Sequence, residues 1–217
     1  MTEVKGAAGR AYGGQTATER AARRTGEMIA AAFALVAEHG WRDLSIESVC
    51  RRAKLNKRYF YETFRELDAL IVAVVNQLAD DAIAVTLAAV EPGMSPTHAA
   101  QVSVFTFVTH LTDDPRRARV LFGAVPAADA AAGHRARAIR QLIGTVGAQG
   151  RSIHNLAEDP IVPLTAAILI GGTSQAVLDW LDGQFDSTRQ QLIDDLTILW
   201  QSIADTAATA SRDRQQP

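Results

Sequence analysis

Cysteine is all but missing from these 217 residues: Cys50 stands alone, so no intrachain disulfide can form. Long apolar runs are missing too. No uninterrupted run approaches the roughly 18 residues that cross a bilayer, and no apolar segment of the signal-peptide kind opens the chain. Together these absences lead to the expectation of a cytoplasmic protein with no membrane partner. Catalytic signatures are equally scarce. There is no Gly-x-x-x-x-Gly-Lys phosphate loop, no Gly-x-Gly-x-x-Gly after a strand and no His-Glu-x-x-His. His39, His98, His110, His134 and His154 are scattered, and the four-residue spacing of His154 and Glu158 has no companion ligand. No catalytic residue, metal site or cofactor is therefore expected. Cys50 reads as a small core residue rather than a nucleophile. Sustained two-residue alternation is lacking as well, which leaves the all-α class.

What is present is a globular composition, 47% apolar, with an uneven charge. Residues 1–65 hold 12 Lys or Arg against 7 Asp or Glu, a balance of +5, while residues 66–217 hold 10 against 17, a balance of −7. A basic first third on an acidic remainder points to a polyanion partner for the first third alone.

The segment Ser45 to Phe64 lies in that basic part and reads as two short helices joined by a tight turn. Ser45 can cap the first, because its hydroxyl accepts from N–H groups that the first turn leaves unpaired. Ile46, Val49, Cys50 and Ala53 fall on one face of it. Asn56 can cap the second. A short second helix with a cationic start suits the major groove of double-stranded DNA.

Around this segment the punctuation predicts about nine helices. Residues 1–17 are a Gly- and Ala-rich arm carrying Lys5 and Arg10. A helix from about Thr18 to His39 follows, with Ile29, Ala32, Phe33 and Val36 as its core stripe and Gly40 ending it. A long helix from about Glu66 to Val90 stops at Glu91-Pro92-Gly93. Ser95-Pro96, Asp114-Pro115 and Asp159-Pro160 each place a capping residue before a proline and mark helix starts, giving helices at about 96–111, 115–125, 127–150, 160–182 and 187–208. The helix at 160–182 is apolar nearly all round, so it needs cover on every side, and a second copy of the chain supplies the simplest outer cover. Ile168, Gly172, Leu192, Leu196, Leu199, Trp200 and Ile203 are the dimer-face candidates.

Residues from about 20 to 70 resemble the N-terminal domain of TetR-family transcriptional regulators. The matching run is an alanine-rich first helix, Glu38-His39-Gly40-Trp41, then Leu44-Ser45-Ile46, Val49-Cys50-Arg51-Arg52-Ala53, Leu55-Asn56-Lys57, Tyr61, Phe64 and Ala69-Leu70. Three positions depart from the family pattern: Lys54 where glycine is usual, Leu67 where lysine is usual, and Arg58 where a small residue is common. The resemblance implies a homodimer whose helix-turn-helix reads a pseudo-palindromic operator and whose larger helical domain binds a small-molecule effector. The domains would be an arm over 1–17, a DNA-binding domain over 18–65 and an effector and dimerisation domain over 66–210.

Within that frame Ser45, Lys57 and Tyr61 suit phosphate contacts, with Lys54 and Arg65 as further cations. Arg58 and Tyr59 suit base contacts. Helix 96–111 mixes apolar side chains with a few polar ones, so Phe105, Thr106, Thr109 and His110 are ligand-site candidates, joined by Phe122, Gln175 and Trp180. The expected function is a repressor released by a small, largely apolar ligand. The alternatives are a DNA-binding protein controlled by a protein partner and, more remotely, an all-α enzyme using the C-terminal cavity.

Overall fold

The computed structural model describes residues 16–124 and 130–215, and these divide into two compact units at Val74–Val75. Among the described residues there are nine α-helices, one short 3-10 helix and no strand. The helices are α1 (Ala17–His39), α2 (Ile46–Ala53), α3 (Lys57–Thr63), α4 (Leu67–Ala88), α5 (Pro96–Asp113), α6 (Pro115–Phe122), α7 (Ala130–His154), α8 (Ile161–Leu181) and α9 (Arg189–Gln215). Most of the arm foreseen at 1–17, and the start of the helix foreseen at 127–150, lie outside the described residues.

The first unit is built on α1, α2 and α3, which pack pairwise. Thr16 caps α1 in a reciprocal box with Glu19, an arrangement worth on the order of 1 kcal/mol. Gly40 ends α1 at φ +82°, where a side chain would be strained, and its N–H donates to the Val36 carbonyl at 2.8 Å. Trp41 is buried in the 3-10 turn beyond it. The buried side of α1 is Met28, Ala31, Ala32 and Val36. This corrects the stripe expected at Ile29 and Phe33, which are only half-buried. A helix flanked on two sides offers a wide apolar arc, and sequence spacing alone does not locate its centre.

In the second unit α5 packs on α6, α7, α8 and α9, and α8 also packs on α6, α7 and α9. The core joins Val104, Phe107, Val108 and Leu111 of α5 to Leu142 of α7, Ile170 and Val177 of α8, and Leu192, Ile193 and Leu196 of α9. Pro96 and Pro115 both sit in the first turn of their helices, behind capping residues Ser95 and Asp114. At the third such pair, Asp159 accepts from the Ile161 N–H at 2.8 Å and Pro160 occupies the cap position. Arg135 is buried and donates to the carbonyls of Leu121 and Gly123 at 2.6–2.9 Å, supplying partners that the end of α6 leaves open.

Two helices, α4 and α8, are long and apolar enough to cross a bilayer by length and composition. Neither is an uninterrupted apolar run: α4 carries Asp80 and Asp81, and α8 carries glycines and Thr173. About 33% of each apolar stretch is buried in the fold, including Val75, Ala79 and Ala82 on α4 and Ala166, Leu169 and Ile170 on α8.

Candidate nucleic-acid interface and apolar cavity

Local hydrogen bonding holds the 45–64 segment in shape. The Ser45 hydroxyl accepts from the Ser48 N–H at 3.1 Å, and the Ser48 hydroxyl accepts from the Ser45 N–H at 3.0 Å. Val49 is fully buried and Cys50 nearly so. Burial pushes the Cys50 thiol upward against the opposing charge of Lys57, which keeps it protonated and unreactive.

Lys54 ends α2 in the left-handed conformation, φ 54°, ψ 36°. Its N–H donates to the Arg51 carbonyl and the Leu55 N–H to the Cys50 carbonyl, at 3.3 and 3.0 Å. That is the Schellman pairing, normally built on glycine. Asn56 then opens α3, its side chain accepting from the Tyr59 N–H at 3.1 Å. Phe60 is fully buried and Phe64 nearly so, their ring centroids 5.7 Å apart. They fasten α3 by one side.

The opposite side of α3 is left to solvent. Lys57, Arg58, Tyr61 and Glu62 are exposed, and Arg65 follows them just past the helix end. Arg58 keeps 83% of its side chain accessible, and its Nε donates to Glu62 at 2.9 Å. Lys57 lies 3.9 Å from Glu47. Ser45 and Lys54 are exposed as well. Tyr59 is placed differently: it is half-buried, with the Arg24 guanidinium 4.6 Å from its ring centroid. Its ring is held against α1 rather than standing on the open face with Arg58. The sequence held a signal for this contact in Arg23-Arg24 near the start of α1, but no local spacing ties residue 24 to residue 59.

The second unit contains a cavity that is partly open to solvent; about 1020 Å³ of empty space lies within it and its open mouth together. Its wall comes from Ile83, Thr86, Leu87 and Val90 of α4 and its end, from Pro96 to Phe107 on α5, and from Leu142 to His154 on α7. Leu156, then Val162 to Ile170 on α8 and Trp200 to Ala208 on α9 complete it. None of the seven ligand-site candidates lines it. Phe105 is half-exposed beside a shallow surface groove along α5 and α9. Phe122 packs its ring edge on Phe107. Gln175 is exposed and bonded to Asp179. Trp180 donates to the Ser187 carbonyl at 2.8 Å. Thr106, Thr109 and His110 are half-buried on α5 and stand outside the wall. Burial holds the His110 pKa below its ordinary value, helped by the Arg117 charge and opposed by Asp81 and Asp113. The residues of α5 that line the cavity are Pro96, Ala99, Ala100, Ser103 and Phe107; Thr109 lies on another side of the helix, and His110, seven residues on from Ser103, shares its side two turns further along.

The dimer-face candidates also divide. Leu192 and Leu196 are buried in the chain's own core, so they have no surface to offer a partner. Trp200 is half-buried, and its indole N–H donates to the Thr173 hydroxyl at 2.7 Å. Ile203 is half-buried, while Gly172, Ile168 and Leu199 are exposed. Sequence periodicity identified the α9 stripe but could not separate its inward side from its outward side. Leu164 on α8 and Ile198 on α9 are further exposed apolar residues. Among the described residues no group of three or more His, Cys, Asp or Glu side chains could hold a metal ion.

Comparison with known proteins finds the following likenesses. Residues 28–74 match the sequence model of the tetR family of bacterial regulatory proteins. A tetR-family transcriptional regulator from Streptomyces coelicolor superposes with a TM-score of 0.71 at 18% identity, over 88% of this chain and 85% of that one. The fatty acid degradation regulator FadR from Bacillus halodurans gives 0.68 at 12% identity, over 82% and 94%. A transcriptional regulator from Rhodococcus sp. Rha1 gives 0.64 at 20% identity, over 84% and 96%. These likenesses establish a shared fold. No curated protein matches the sequence.

Proposed function

With a TetR-family N-terminal domain, in the fold of that family's transcriptional regulators, the chain is, we propose, a dimeric repressor released from its operator by a small, largely apolar ligand. The observation that carries this reading is the 45–64 segment. Its α3 is fixed from behind by Phe60 and Phe64 and offers Lys57, Arg58 and Tyr61 outward. A helix presented this way reads base edges from its exposed side chains, while cations and hydroxyls around it set its position on the phosphates. Arg58 is the base reader in this account. Ser45, Lys54, Lys57, Tyr61 and Arg65 are phosphate contacts, and Tyr59 is a strut between α1 and α3.

Dimerisation is proposed through the outward sides of α8 and α9. Leu164 and Ile168 are 59% and 52% exposed, and Ile198 and Leu199 are 60% and 55% exposed. Gly171 and Gly172 beside them have open space where a Cβ would stand, which allows a partner helix to approach closely. The ligand site is proposed in the apolar cavity of the second unit. α4 runs unbroken from Leu67 to Ala88, across the division between the units, and is the proposed lever by which ligand shifts DNA affinity. Such coupling is typically about 1–3 kcal/mol.

The test is binding of the purified chain to duplexes from the region upstream of its own gene, set against random duplex, by fluorescence anisotropy. Arg58→Ala should lose affinity for the bound upstream duplex and keep its weak affinity for random DNA. Equal loss on both would remove Arg58 from base reading. No preference of the natural protein for any upstream duplex over random DNA would contradict an operator in that region.

A further inference from the structure

Among the described residues that line the cavity, none is Lys, Arg, Asp or Glu. We infer that this cavity selects an uncharged, elongated apolar molecule bearing hydroxyl or carbonyl groups, and discriminates against free carboxylates and amines. The inference rests on the reading of the cavity as the ligand site and adds the chemical class of the ligand. An unpaired charge taken from water into an apolar enclosure loses its hydration with nothing to replace it. A carboxylate would need a cation in the wall. The nearby Arg212 is instead engaged outside it, donating to the His154 carbonyl at 3.2 Å.

The titratable side chain in the wall, His154, supplies no charge either. Burial lowers its pKa, and the Arg212 charge lowers it further against the opposing Asp205. At neutral pH it is an uncharged imidazole.

The hydrogen-bonding groups that remain are neutral. Thr86 and Thr145 spend their hydroxyl protons on the Ala82 and Gln141 carbonyls, at 2.8 and 3.1 Å. Ser103, Gln149 and Thr165 hold no side-chain hydrogen bond among the described residues, so their groups are available to a ligand hydroxyl, ketone, ester or amide. The α7 wall from Leu142 to His154 runs about 18 Å at 1.5 Å per residue, long enough for an extended chain or a fused-ring skeleton.

Isothermal titration of the full chain with 1-decanol, decanoate and decylamine at pH 7.5, each below its micelle concentration, tests this. Decanol should bind on the order of tenfold tighter than either ion, reflecting the unpaired-charge penalty. Gln149→Lys should invert the order of decanol and decanoate. If that variant loses its helical circular dichroism, Thr165→Lys serves in its place. Decanoate binding the natural protein as tightly as decanol would overturn the inference and leave the cavity as the ligand site. Failure of all three probes to bind would overturn the ligand-site reading and the inference with it.

Discussion

Lys54→Gly should make the N-terminal unit more stable and its grip on DNA weaker. Lys54 sits at φ 54°, ψ 36°, where an L side chain costs roughly 1–2 kcal/mol. Glycine removes that strain but gives back about 0.5–1 kcal/mol through the freedom of the unfolded chain. The net gain is about 0.5–1 kcal/mol, or on the order of 2–8 °C if the unit melts as a domain of its own size. Lys54→Ala is the control, because it removes the charge and keeps the strain. Its stability should stay within about 0.5 kcal/mol of the natural protein. On DNA the two variants should behave alike. Each loses one phosphate contact per subunit, so the slope of log affinity against log salt should fall by about 0.9 per subunit, near 1.8 for a dimer. Guanidinium unfolding and anisotropy between 50 and 200 mM salt read the two effects separately. Equal stability of the Gly and Ala variants would refute the strain argument, and an unchanged salt slope would refute the phosphate contact.

Glu62→Gln releases Arg58 from its 2.9 Å ion pair and should tighten binding to both operator and random DNA. A loss of affinity, measured in the same anisotropy assay, would mean that Glu62 positions Arg58 productively. Ile168→Asp and Leu199→Asp should give folded monomers in sedimentation, whereas Leu196→Asp should lose more than about 3 kcal/mol of stability by burying an unpaired charge in the core. Monomers from neither surface variant would move the interface elsewhere. Stability should fall as pH drops from 7 toward 5. Burial depresses the pKa of both His110 and His154 in the folded state, so the unfolded chain takes up more protons below its ordinary histidine pKa. Denaturant midpoints at pH 5.5 and 7.5 should differ less for the His110→Asn, His154→Asn double variant, and an undiminished difference would assign the pH dependence to other groups.

Helix starts were legible because their signals are local. Ser45, Asn56, Ser95 and Asp114 all cap through side-chain bonds to an N–H two or three residues ahead, so short-range spacing suffices to find them. The left-handed Lys54 had no such local signal, since a lysine does not mark that conformation; only the glycine usual at this position in the resembling family pointed to it. Which side of a helix faces which neighbour was not. Leu196 and Leu199 lie on one apolar stripe, yet the first is buried in the chain's own core and the second stands in solvent. The cavity was missed in the same way. Thr109 and Ser103 are both polar residues on an apolar helix, and only the placement of α7, α8 and α9 makes Ser103 a wall residue. The Arg24–Tyr59 contact depends on how α1 crosses α3 and is beyond any pattern within either helix.

In the proposed dimer two copies of α3 read DNA together. Rounds of selection from random duplexes, with sequencing of the retained fragments, test it most directly. The retained set should be an inverted repeat whose half-site centres lie one helical turn apart or a multiple of it, about 34–36 Å per turn, with Arg58→Ala relaxing one position in each half. A retained set with no inverted repeat, or one unchanged by Arg58→Ala, would contradict it.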